Sequence, residues 1–234
     1  MIFQGSERLI VVFFSQTFII ILFALLGFII IKRNRKRSTI TLFAFYSLLG
    51  VGLFMNIIFI LTIPSNDHII ISIVYNITSY FIIFPFIFIL IFINVILKME
   101  ESFTLRKITI IIAIYGILCW TLYLLPGGIT FTSNWTPVYS IPFFIYLFVI
   151  FTSYLTIPTI IYSIRLYTLF KARNLKNKLR LFLSGVFIML AVVYGAIYFN
   201  TTSEVIFKTL WSIFAFFMEI AAGVLVYYGV GKDL

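Results

Sequence analysis

One carboxyl group stands apart from every other charged side chain in this sequence. Glu219 lies near the middle of an unbroken apolar stretch close to the C-terminal end. An ionised carboxylate among apolar residues is costly, so the group must take up a proton or meet a donor. Ala215, Glu219, Ala222 and Gly223 fall on one stripe of a 3.6-residue helix. Small residues on a stripe let a neighbouring backbone approach, so this stripe is expected to face other protein and to carry Glu219 with it. Two roles fit such a group. One is a single hydrogen bond that ties two helices. The other is a site for a proton, a ligand or a conformational switch.

Other polar residues are candidates to share that site. Ser184, Ile188, Ala191, Gly195 and Tyr198 form a second stripe in the preceding apolar stretch, and Tyr194 beside it is the expected partner of Glu219. Asn56, close to Gly52, and Asn94 each place one amide inside an apolar run, where such groups join helices or touch ligands. Pro85 and Pro158 also lie inside runs and are expected to kink them, freeing backbone carbonyls. The expected interior site is therefore Glu219, Asn56, Asn94, Tyr194 and Tyr198.

Several chemistries are excluded by what the sequence lacks. Cys119 is the one cysteine and His68 the one histidine, so an intrachain disulfide and zinc or haem ligation by a histidine cluster are excluded. No serine-hydrolase elbow with a histidine, no H-E-x-x-H and no P-loop is present. Lys208 invites comparison with a retinal Schiff base, but it falls at the rim of its apolar run, and the third run holds no carboxylate counter-ion. It pairs better with Glu204 four residues before it. Neither a cofactor nor a catalytic role is expected.

These residues are carried by a chain that is 63% hydrophobic and 10% charged, with a mean hydropathy of +1.18. Soluble domains run at about 45–50% apolar and about 25% charged, so lipid must be the solvent for most of this surface. Seven segments are long enough to cross it: 9–31, 39–63, 69–97, 108–125, 138–164, 181–200 and 207–230. None shows the alternation of a barrel strand. The expected fold is an all-α integral membrane protein, a single seven-transmembrane helix bundle over residues 1–234 with no separate domain, linker or internal repeat. The first run is read as a membrane helix, not a signal peptide, because its basic cluster follows it.

Cations fix the direction. Lys32, Arg33, Arg35, Lys36 and Arg37 follow the first span, Lys98, Arg106 and Lys107 the third, and Arg165, Lys171, Arg173, Lys176, Lys178 and Arg180 the fifth, with Lys232 at the end. That makes 15 on one side against Arg8 and Lys208 on the other. The odd-numbered loops are therefore expected in the cytoplasm, with the N-terminus outside and the C-terminus cytoplasmic. The N-x-[ST] sequons at Asn76, Asn134 and Asn200 all fall on the outer side.

A net charge of +10 would suggest nucleic acid in a soluble protein. Here the cations sit in short loops, so the expected partners are the lipid bilayer and its anionic inner-leaflet lipids, with no nucleic acid. The contacts are expected from Arg33, Arg35, Lys36, Arg37, Lys171, Arg173, Lys176, Lys178 and Arg180. The amphipathic stretch 165–180 is expected to extend the fifth or sixth helix into the cytoplasm.

Seven spans with the N-terminus out, a basic fifth loop running from Lys171 to Arg180, Ser184-Gly185 in the next span and the closing segment Val226-Tyr227-Tyr228-Gly229-Val230-Gly231 resemble the N-terminal seven-helix sensor region of prokaryotic histidine kinases. The resemblance implies a sensor of small molecules or membrane state whose seventh helix drives a cytoplasmic output. It stops at Leu234, with no kinase, PAS or dimerisation segment following, and it carries no ligand residues. The expected function is a receptor-like, non-catalytic module working alone, as a homodimer or through a separate cytoplasmic signalling protein. The competing readings are a small permease with Glu219 as its coupling carboxylate and a membrane scaffold.

The orientation has a direct check. Single cysteines placed in 32–37 and 165–180 should react in intact cells only with a membrane-permeant maleimide, and cysteines in 126–136 also with an impermeant one. Impermeant labelling of 165–180 would reverse the orientation.

Overall fold

The computed structural model describes residues 6–97 and 104–231, with side chains placed for 13–97 and 104–229. Lys98 and Lys232 lie outside the described residues, as does the side chain of Arg8. Seven helices are long and apolar enough to cross a membrane: Phe13–Arg33, Arg37–Ser65, His68–Leu97, Leu105–Leu124, Ile141–Leu169, Arg173–Thr201 and Val205–Gly229. They are called spans one to seven below. Large apolar side chains stand exposed along them, Phe14 at 77% and Ile206 at 74% among them. That would be costly in water and is ordinary in lipid.

Both prolines break their helices. Pro85 has no N–H to donate, and span three divides there into His68–Ile83 and Phe86–Leu97. Span five divides into Ile141–Ile150 and Ile157–Leu169 around a π-turn, Phe151–Thr156, just ahead of Pro158. Side-chain caps start two spans: Asp67 accepts from the N–H groups of Ile69 and Ile70, and Ser140 from that of Phe143.

Two expectations change at the loops. Val138 was expected inside span five, but it lies in a hairpin of β1 (Ile129–Phe131) and β2 (Pro137–Tyr139), paired Ile129 with Tyr139, Thr130 with Val138 and Phe131 with Pro137. A short strand holding Val and Tyr is as apolar as a helix end, so hydropathy alone joined it to the span. Span four ends its α-helix at Thr121 and closes on a 3-10 turn, Leu122–Leu124. The stretch 165–180 extends both flanking helices, leaving only residues 170–172 outside them. Asn76, the first sequon, lies inside the first helix of span three, with Thr78 buried against the carbonyl of Val74.

A belt of aromatic rings runs across the bundle. Phe23 of span one meets Tyr46 of span two at 5.5 Å between centroids, and Tyr46 meets Phe45 at 5.4 Å. Phe45 meets Phe86 of span three at 5.6 Å, Phe86 meets Phe151 of span five at 5.5 Å, and Phe151 meets Tyr194 of span six at 5.2 Å. Most pairs are tilted or edge-on, the favoured geometries for rings in contact. The Tyr46 hydroxyl then donates to the carbonyl of Gly223 in span seven at 2.8 Å. Span four stays outside this belt, with only Ile108, Tyr115 and Cys119 buried in its helix.

Glycines set the other contacts. A Cβ on Gly52 would fall 2.7 Å from the backbone of Phe81, which brings spans two and three together. A Cβ on Gly185 would meet the carbonyl of Ala222 at 2.8 Å, and one on Gly229 the amide nitrogen of Phe182 at 2.3 Å. On Gly195 it would enter the indole of Trp211, at 1.8 Å. Spans six and seven thus touch along three glycines, which is how helices gain dispersion contact in lipid. The opposite holds at Gly50, buried but with nothing within 4 Å of an added Cβ.

That difference is testable. Gly195→Ala should cost on the order of 1–3 kcal/mol in detergent melting, the usual penalty of overpacking. Gly50→Ala should be neutral or slightly stabilising. Equal melting temperatures for the two variants would contradict the seating of Trp211.

Candidate functional site

Glu219 takes the position its sequence stripe implied. The buried residues of the seventh helix are Ala222, Gly223 and Val226, three, four and seven positions further on, so Glu219 continues the same face one turn toward the helix N-terminus. It is half-buried. Among the described residues its carboxyl makes no hydrogen bond and no ion pair. Span one runs alongside, its buried stripe being Ile19, Phe23, Leu26 and Ile30. Phe23 and Leu26 stand against Gly223, at 2.7 and 3.8 Å from where its Cβ would be.

Gln16 opens that stripe, three residues before Ile19. Its Oε1 is buried and has no hydrogen-bond partner. Among the described residues the facing stripes of spans one and seven therefore each carry a polar side chain without a partner, on the Val205 side of the tight contact at Gly223. The sequence reading passed over Gln16. The signal was present, because Gln16 is on the 3-4 stripe of the most apolar part of span one, but an uncharged amide near a helix end draws less attention than a carboxylate. Tyr46 was passed over as well, since its sequence does not distinguish it from the other 13 tyrosines.

The remaining expected members lie elsewhere. Tyr194 does not reach Glu219; its hydroxyl bonds Thr152 at 2.6 Å and Thr156 at 2.8 Å in the π-turn of span five. The two threonines are four residues apart and so share the face toward span six. Tyr198 is 44% exposed and its ring meets Phe207 at 4.8 Å. Ser184 and Ala191 are exposed too, so of the stripe drawn through them only Gly195, against Trp211, makes a tight helix contact. Its buried face runs instead through Phe182, Gly185, Val186, Met189, Val193 and Ile197. Asn94 is buried and its Nδ2 donates to the carbonyl of Leu90 in its own helix. Asn56 is half-buried, and among the described residues it has no hydrogen-bond partner. The five residues are dispersed over the bundle.

The hairpin closes one end of the bundle. Phe131 is packed among Phe59, His68, Tyr75 and Trp135, at 5.6 to 6.3 Å between centroids. The Trp135 indole donates to Asn66 at 2.9 Å, and the Tyr75 and Tyr139 hydroxyls are 2.9 Å apart. Burial raises the Tyr139 phenol above its ordinary pKa, against the opposing hydrogen bonds from Tyr75 and Asn200. Beside the hairpin lies an open cavity of about 280 Å³, lined by Ser72 and Asn76 of span three, the turn 122–128, Ile129 and Phe143.

The cations gather at the opposite end. Arg33 donates to the Tyr227 hydroxyl at 3.1 Å and lies over that ring, joining the ends of spans one and seven. Asn34 accepts from the Lys36 amide and from Thr39, which closes the first loop tightly. Arg35 and Lys36 are exposed and Arg37 is half-buried. On the fifth loop Lys176 and Arg180 both lie over Tyr167, Lys171 and Arg173 are exposed, and Lys178 is half-buried. Among the described residues no group of three or more His, Cys, Asp or Glu side chains could hold a metal ion.

No family model matches the chain, and neither a curated protein nor a solved structure matches it. What the geometry defines is a multi-pass membrane helix bundle with an unpartnered carboxyl on span seven.

Proposed function

We propose that this chain is a receptor-like, non-catalytic membrane module in which span seven is the responsive element and Glu219 its titratable group. The observation that carries the reading is the carboxyl itself, turned to the protein side of span seven and left without a hydrogen bond among the described residues. Changing the proton or polar partner of such a group changes how span seven sits against its neighbours. Span one offers Gln16, Ile19, Phe23 and Leu26 to that face, and span six offers Gly185. The Tyr46 phenol of span two is committed to the Gly223 carbonyl one turn further along that face.

The cytoplasmic end supplies an outlet. Span seven finishes in a π-turn, Tyr227–Gly231, with Tyr227 held by Arg33 and Gly229 against Phe182. A shift of span seven would alter both contacts, and a separate cytoplasmic partner or a second copy of the chain would read it. The continuous belt of rings from span one to span six supports a receptor over a permease, because it fills the middle of the bundle where a substrate would pass.

Pulsed electron paramagnetic resonance tests this in proteoliposomes. Nitroxides go on Ile161→Cys and Ala221→Cys, two exposed positions, in a Cys119→Ser background. The distance distribution should differ between about pH 5 and about pH 9, a range that brackets a carboxyl moved by an apolar setting. With Glu219→Gln added, one distribution should appear at both. A wild-type distribution that does not respond, or a response that survives Glu219→Gln, would leave Glu219 as a structural residue.

A further inference from the structure

The turn between spans five and six brings two helix ends to the membrane surface. Leu166 and Leu179, each 2% exposed, seat those ends in the bundle, while Leu169 and Leu175 stand out at 61% and 46%. Tyr167 lies between them and collects two cations. The Nζ of Lys176 is 5.1 Å from the ring centroid and the Cζ of Arg180 is 5.4 Å from it. Nη2 of Arg180 also donates to the Tyr167 hydroxyl. Stacking and this hydrogen bond fix the guanidinium and leave its other N–H donors unspent. Among the described residues no carboxylate pairs with Lys176 or Arg180.

The level is that of the membrane interface. Arg180 immediately precedes the apolar run that begins at Leu181, and Tyr167 follows the one that ends at Ile164. Tyrosine is favoured at this depth, and cationic side chains here bury their stems and lift their charge toward the headgroups. Exposed leucines beside the pair suit acyl chains. A guanidinium and an ammonium held on one ring suit the oxygens of a phosphodiester. We propose that Tyr167, Lys176 and Arg180 form a binding site for the phosphate of an anionic phospholipid headgroup. A zwitterionic headgroup fits less well, because it brings a cation that Lys176 and Arg180 repel. The site stands independently of the role given to Glu219.

Native mass spectrometry of the full chain in detergent, with added dioleoyl phosphatidylglycerol or dioleoyl phosphatidylcholine, tests the site. The wild type should retain phosphatidylglycerol in preference to phosphatidylcholine. Lys176→Gln with Arg180→Gln should lower phosphatidylglycerol affinity on the order of tenfold, and Lys171→Gln with Arg173→Gln by about twofold or less. Tyr167→Leu, which changes no charge, should lower it too. The two double variants remove equal charge from the same turn, so diffuse attraction or misfolding would lower both alike. That result would overturn the site, as would full affinity in Tyr167→Leu or equal retention of the two lipids.

Discussion

Helices already in lipid gain little from the hydrophobic effect by touching one another, so this bundle is held by how closely its surfaces fit. Two devices supply the fit. Rings fill the space among spans one, two, three, five and six, and glycines let spans six and seven meet backbone to backbone. The devices join at one hydrogen bond, from the Tyr46 hydroxyl to the Gly223 carbonyl. Tyr46 is at once a member of the ring belt and the tie to span seven.

Legibility in the sequence followed physical scale. Span existence was plain, because about 20 apolar residues are needed to cross a bilayer and these runs meet that length. The inward face of Glu219 was legible as well, because Ala215, Ala222 and Gly223 mark it on the same helix. What depends on a single inserted residue was not. The π-turn ahead of Pro158 carries Thr152 and Thr156, whose hydroxyls meet that of Tyr194, and no local composition announces it. The hairpin at Ile129–Phe131 and Pro137–Tyr139 was lost for a related reason, since hydropathy does not tell a buried strand from the first turn of a span. The stripe through Ser184, Ile188, Ala191, Gly195 and Tyr198 held only at Gly195, which seats Trp211, because small residues such as Ser184 and Ala191 also stand exposed on span six.

These features divide the molecule into a filled part and a separable one. Spans two, three and five are locked by rings and by the Gly52 approach to Phe81. Span seven is seated only along one side, and its N-terminal half carries exposed Leu210, Ile213, Phe214 and Phe217. Its carboxyl, without a partner among the described residues, sits between two tight seats, Trp211 on Gly195 and Phe23 on Gly223. From Glu219 the helix runs on to Tyr227, whose hydroxyl accepts from Arg33 of span one.

Hydrogen–deuterium exchange of wild type and Tyr46→Phe in lipid nanodiscs tests most directly whether span seven is the separable element. Removing the hydroxyl forfeits one buried hydrogen bond, about 1 kcal/mol, and should quicken exchange about fivefold from Glu219 to Gly229. Spans three and five should exchange as before. Unchanged exchange in span seven, or equal acceleration across all spans, would contradict a bundle in which this helix moves against a fixed belt of rings.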